Sequence, residues 1–178
     1  MNRTPRTRWT VSTIVLLGAS IIAASAACSE TAVPTAPTAV TRVSSPAVSM
    51  SALEQTLVAG FQDENHAYWV YRRVMADFGS VRPFSNIVYA EQQHAESIAT
   101  LLRARGWTVP PSVWSLDNAP GFESVAAACR GAAQAERDNI ALYDELLRQD
   151  LPDDVRTVFQ NNRAASLYNH LPAFSRCG

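Results

Sequence analysis

Between Ser51 and Phe174 the apolar residues recur at intervals of three and four in four successive segments, and nowhere in that stretch do they alternate with period two. The pattern excludes a sheet and calls for helices that each bury one stripe. Ser51 and Glu54 form an S-x-x-E capping box, after which Leu53, Leu57, Phe61, Glu64, Tyr68, Tyr71, Met75 and Phe78 recur as far as Gly79. The second segment follows a GSVRP turn, sets Phe84, Ile87, Glu91, His94, Ile98 and Leu101 on one face, and closes at Gly106. The third carries Val125, Cys129, Ala132, Glu136, Ile140, Tyr143 and Leu147 and stops at Leu151 and Pro152. The fourth starts at Asp153 with Val155, Phe159, Arg163, Leu167, His170 and Phe174 on one side, and Pro172 is expected to kink or end it soon after His170. WTVPPSVWSLDNAPG, between the second and third segments, is too broken by proline for a regular element and is expected to cross one end of the molecule. The pattern predicts an all-α fold, an antiparallel four-helix bundle of two helical hairpins joined by a longer loop.

Ahead of this block the composition changes twice. Residues 1–27 place Arg3, Arg6 and Arg8 before an apolar run that dissolves into small residues from Ala23 to Ala27, the order of an export signal rather than of a membrane span. Residues 28–50 are rich in Ala, Thr, Ser and Pro, cannot bury a core, and read as an extended tether to the domain at 51–178. ASAAC, ending on Cys28, resembles the lipobox of a bacterial lipoprotein, although Ser25 stands where a large aliphatic residue is usual. Lipidation at Cys28 would hold the protein at a membrane surface; cleavage nearby with Cys28 unmodified is the alternative. With Cys28 acylated, Cys129 and Cys177 form the one remaining pair, to be joined in an oxidising compartment or left as two buried thiols. Fifteen basic against sixteen acidic residues, with no run of like charge, argue against nucleic acid as a partner.

Each apolar stripe is interrupted near its middle by a residue able to ligate a metal: Glu64, then Glu91 with His94, then Glu136, then His170. Any one of them alone is more readily a stripe-edge carboxylate reaching water or a hydrogen-bonded core histidine. Together they are costly to bury unless paired or bound to a cation, because an uncompensated carboxylate in a helical core costs several kcal/mol. Glu91 and His94, three apart, lie on one helical face and can hold one ion between them. In the second hairpin, a rise of about 1.5 Å per residue puts Glu136 and His170 roughly 23 and 26 Å from the turn, and Cys129 and Cys177 roughly 33 and 36 Å. Both pairs are then level. In the first hairpin Glu64 falls about 22 Å before Gly79, while Glu91 and His94 fall about 12 and 16 Å beyond Pro83, so either the first helix ends earlier or Glu64 sits high and shares its role with a neighbour such as His66 or Tyr68.

The segments FQDENHAYWVY, VRPFSNIVYAEQQH, AERDNIALYDELL, LPDDVRTVF and YNHLPAF, spread over residues 54–174, resemble the ferritin-like superfamily. More closely they resemble a bacterial and archaeal ferritin-like family of unknown function. The superfamily implies a glutamate from the first helix and an E-x-x-H from the second, facing the same set from the third and fourth, around two iron or manganese ions. By that resemblance Glu64 and Glu136 are terminal carboxylates, Glu91 a bridge, and His94 and His170 nitrogen ligands. Leu167 stands where the second E-x-x-H needs its glutamate. Three carboxylates suit one well-held ion or a lopsided pair, with Asp138 and Asn169 as accessory groups. Tyr68 and Tyr143 are candidate hydrogen-bond donors to the ligands or structural core residues.

Two functions follow. One is an exported metal protein binding iron or manganese, with oxidase, peroxide-scavenging or storage chemistry as the superfamily's range. The other is a metal-free helical bundle acting by partner binding or structurally in the cell envelope, in which Glu91 with His94, and Glu136 with Arg163 or His170, neutralise each other.

Overall fold

The computed structural model describes residues 50–177, and the expected signal peptide, the tether up to residue 49 and Cys28 lie outside those residues. Among the described residues there are helices and no strands: α1 (Ala52–Phe78), α2 (Phe84–Ala104), α3 (Val125–Leu146), α4 (Asp153–Ala165), a π-helical turn (Ser166–His170) and α5 (Leu171–Ser175). None of these helices is long and apolar enough to cross a membrane.

The boundaries follow local chemistry. Ser51 accepts the Glu54 N–H at 3.1 Å and Ser124 accepts the Ala127 N–H at 3.1 Å, so each side chain satisfies a donor that the first helical turn leaves unpaired. Gly79 ends α1 at φ +82, a conformation that costs a side chain its Cβ clearance. Pro172 is expected to kink or end the fourth helix soon after His170, and the helical run closes at Ser175, three residues beyond the proline. A π-helical turn lies just before it, and the proline is the second residue of α5.

The helical bundle is held by two apolar clusters. At one end Leu57, Ile98, Leu102, Tyr143, Leu146, Val155 and Phe159 pack together, and at the other Val70, Tyr71, Val74, Phe84, Ala132 and Phe174 do. Every large side chain in these sets is sealed from water, at about 1.5–3 kcal/mol for each fully buried aliphatic or aromatic group. Cys129 and Cys177 lie at disulfide distance, with Cα atoms 5.7 Å apart, and link α3 to the segment after α5.

The clusters also fix direction. Leu57 shares a cluster with Ile98 and Leu146, whereas Val74 shares one with Phe84 and Ala132, so α2 and α3 both run opposite to α1. The chain must therefore travel the length of the bundle between them. Accordingly, the proline-rich loop runs beside α1 instead of crossing one end. Gln62 donates to the Pro111 carbonyl at 2.9 Å and accepts from the Val113 N–H at 3.0 Å, and farther along α1 Arg73 reaches the Leu116 carbonyl at 3.5 Å.

Candidate metal centre

Between the two apolar clusters lies a polar layer to which every long helical segment contributes. α1 brings Glu64, α2 Glu91 and His94, α3 Glu136, and the π-helical turn His170; Glu64, Glu91, Glu136 and His170 are only 0, 1, 2 and 4% exposed. His94 is the least enclosed, its side chain 14% exposed.

Glu64 belongs to this layer despite the height mismatch of the first hairpin. Phe84, the first residue of α2, packs on Tyr71 with ring centroids 5.5 Å apart, so α2 begins partway up α1 and not level with its end. Glu64 precedes Tyr71 by seven residues and Glu91 follows Phe84 by seven, which returns the two carboxylates to one level. Neither His66 nor Tyr68 joins Glu64 in a donor triplet among the described residues. His66 stacks on Trp114 with centroids 4.2 Å apart, and Tyr68 packs edge-on to Trp69.

The donor atoms form two triplets, Glu64, Glu91 and His94, and Glu91, Glu136 and His170, each with its donor atoms all within 4.8 Å of one another. Glu91 serves both and divides its oxygens between them. Its Oε2 lies 3.1 Å from His94 Nδ1 and its Oε1 lies 3.0 Å from His170 Nδ1. The outer carboxylates complete the pairs, Glu64 Oε2 at 3.3 Å from His94 Nδ1 and Glu136 Oε1 at 3.5 Å from His170 Nδ1. The imidazole rings stack with centroids 5.5 Å apart.

Two buried tyrosines orient the outer carboxylates crosswise. Tyr71 of α1 donates to Glu136 Oε1 of α3 at 2.6 Å, and Tyr143 of α3 donates to Glu64 Oε1 of α1. Asn162 of α4 adds donors to Glu64 Oε1 at 3.3 Å and to the Tyr143 hydroxyl at 3.1 Å. Beside the layer, Asn139 donates to Asp63 Oδ2 at 2.7 Å and accepts from Ser166 at 2.8 Å.

Despite these bonds, Glu64 Oε2, Glu91 Oε1 and His170 Nδ1 are buried without an aligned hydrogen bond. Around them the short distances bring carboxylate oxygens and imidazole nitrogens to a common space without the alignment of a full hydrogen bond.

Burial pushes the Glu64 carboxyl up, and the neighbouring Glu91 charge adds to the push, against the opposing hydrogen bond from His94. Burial likewise lifts Asp63 to about 6, opposed by its bond from Asn139. For the histidines burial works the other way, but hydrogen bonds and charge from Glu64 and Glu91 outweigh it and hold His94 at about 10, while Glu136 and Glu91 hold His170 at about 9. Burial and the adjacent carboxylates raise Tyr71 and Tyr143 well above the usual phenol range, so both stay donors.

No family model matches the chain, and no curated protein matches it. Two solved structures share its fold. A hypothetical protein of Methanococcus jannaschii DSM 2661 superposes with a TM-score of 0.60 at 23% identity, over 75% of this chain and 83% of that one. A conserved hypothetical protein of Mycobacterium tuberculosis does so with a TM-score of 0.59 at 18% identity, over 68% of this chain and 93% of that one. At these identities the likeness concerns the fold alone.

All five donors read from the sequence, Glu64, Glu91, His94, Glu136 and His170, fall in the layer. Other residues shift. Arg163 forks onto Asp144 at 2.7 and 3.2 Å and does not reach Glu136, while Asp138 and Asn169 are exposed. On the fourth segment the buried residues are Asn162 and Ser166, at α-helical spacing from Phe159, and not Arg163 and Leu167. Tyr71, not Tyr68, is the donor from α1. One signal was available for it: Tyr71 follows Glu64 by seven residues, as Tyr143 follows Glu136.

Proposed function

We propose that the chain is an exported ferritin-like four-helix bundle of two hairpins, held at a membrane surface through a lipidated Cys28, whose core binds iron or manganese. Glu64 and Glu136 are the terminal carboxylates, Glu91 the bridge, and His94 and His170 the nitrogen ligands. The donor set fits such ions: three carboxylates and two imidazoles are hard and borderline donors suited to iron and manganese. The observation that carries the reading is the trio of buried, unaligned atoms, Glu64 Oε2, Glu91 Oε1 and His170 Nδ1. Buried polar atoms that converge on one space without aligned hydrogen bonds are arranged for a cation, which displaces the imidazole protons as it binds. Bound there, iron or manganese supplies a redox-active, Lewis-acidic centre in a nearly dry core. The residues around it hold the carboxylates in place through Tyr71, Tyr143 and Asn162 and exclude water through the apolar clusters on either side. The signal-like residues 1–27, the tether at 28–50 and the lipobox resemblance support export and anchoring, which the mass of the mature N-terminus tests.

A second reading, the metal-free envelope protein, is favoured by the 3.1 Å contact between His94 Nδ1 and Glu91 Oε2, which a protonated imidazole satisfies without any ion. Elemental analysis separates the two. Purified from an export-competent host without chelator, the full chain is expected to carry near-stoichiometric iron or manganese that His94→Ala removes. A metal-free chain whose thermal stability is unmoved by either added ion would establish the second reading.

A further inference from the structure

Beside the donor layer lies a cavity of about 140 Å³ between α1 and α3, whose walls include Asp63, His66, Tyr71, Glu91, Glu136 and Asp138. One water needs roughly 10–15 Å³ of such space, so there is room for a cation with part of its hydration shell. The walls include two of the three donors of the Glu91, Glu136 and His170 triplet and, of the other triplet, only the shared Glu91; neither Glu64 nor His94 is among them. Its acidic groups are graded in depth. Asp138 is exposed, Asp63 is half-buried, and Glu136 and Glu91 at the inner end are 2 and 1% exposed.

Two further features distinguish this from an ordinary acidic surface. Glu91 Oε1, which has no aligned hydrogen-bond partner, belongs to a residue of the inner wall. Asp63 and Asp138 are hydrogen-bonded by amides, from Asn139 at 2.7 Å and from Gln134 at 2.9 Å, and neither has a basic partner among the described residues, so their charge is not cancelled locally. Converging carboxylates in a low-dielectric cleft concentrate cations and repel anions.

We propose that this cavity is the vestibule through which a hydrated divalent cation reaches the centre. The Glu91, Glu136 and His170 half therefore exchanges ions with solvent first, and the Glu64, Glu91 and His94 half fills from it across the shared Glu91. This rests on the metal-binding reading above, and its test keeps the two apart. Metal-free full chain is mixed rapidly with Co²⁺ alone; final uptake and the rate of appearance of the bound-ion absorption are recorded for wild type, Asp138→Asn and Ala135→Leu, which narrows the cavity from its wall. Asp138→Asn is expected to reach wild-type uptake at a rate lower by roughly threefold to tenfold at low salt, with the difference shrinking as salt screens it. Ala135→Leu is expected to load slowly at any salt. Wild-type rates in Asp138→Asn would overturn the proposal, whether or not Ala135→Leu folds, and would place ingress past the partly exposed His94. No Co²⁺ uptake by wild type would instead overturn the metal-binding reading, and the vestibule with it.

Discussion

The two halves of the donor layer are built alike and finished differently. In each, a glutamate on one helix is held by a tyrosine from the opposing helix, Glu64 by Tyr143 and Glu136 by Tyr71, and each histidine lies against Glu91. The Glu64 half receives a further donor from Asn162, and its histidine comes from the uninterrupted α2. The Glu136 half borders the cavity, and its histidine comes from the π-helical turn. The difference teaches that a core can repeat its charged framework while assigning rigidity to one side and access to the other. What α4 presents at Glu64 is the neutral amide of Asn162, so the halves carry equal donor sets and differ in the hydrogen bonds that brace them.

The sharpest way to break the comparison is to remove what the halves share. Glu91→Ala takes the partner from both imidazoles at once, and leaving buried charges uncompensated costs about 3–5 kcal/mol. It is expected to lower urea-unfolding stability by that order and to abolish metal uptake in both halves. A loss of one ion with the other retained would show that the halves are independent.

Protons test the same layer more gently. Asp63, His170 and His94 are all raised on folding, to about 6, about 9 and about 10. Where a folded pKa is raised, the native state binds more protons than the unfolded chain, so stability falls as pH rises. The Asp63 contribution is present below the ordinary aspartate value of 3.8 and is lost as pH passes about 6. The histidine contributions are present below 6.5 and are lost through about 9 for His170 and about 10 for His94. Metal-free protein is therefore expected to lose up to about 1.4 kcal/mol per pH unit for each group in its window, as measured by unfolding from pH 4 to 10. Added manganese is expected to bind more tightly over the histidine window as the ion displaces their protons. A stability maximum near pH 8 without metal would contradict these protonation states.

Much of this was legible in the sequence because helical period is a strong signal and a charged residue inside an apolar stripe is a conspicuous departure from it. Glu64, Glu91, His94, Glu136 and His170 stood out for that reason, and Cys129 with Cys177 by the same register. What the sequence concealed was register between elements. The entry of α2 at the level of Tyr71 depends on tertiary packing of Phe84, which no local pattern encodes. On the fourth segment stripe counting passes through Arg163 and Leu167 while Asn162 and Ser166 are buried, because steps of three and of four fit a helical period equally well. Asn139 was hidden because a buried amide reads as surface until its partners Asp63 and Ser166 are known.

The smallest effect is also the one that separates the halves most cleanly. Tyr71→Phe removes a hydroxyl donor from Glu136, and Tyr143→Phe removes one from Glu64, each leaving a buried carboxylate short of a hydrogen bond at a cost of about 1–3 kcal/mol. The losses should differ, because Asn162 still donates to Glu64 at 3.3 Å after Tyr143 is changed, while among the described residues Glu136 keeps only the unaligned approach of His170. Tyr71→Phe is thus expected to be the more destabilising by urea unfolding, and Tyr143→Phe combined with Asn162→Leu to exceed the sum of the two single changes. Equal single losses with strict additivity would mean that Asn162 does not support Glu64, and the closed half would then be no better braced than the open one.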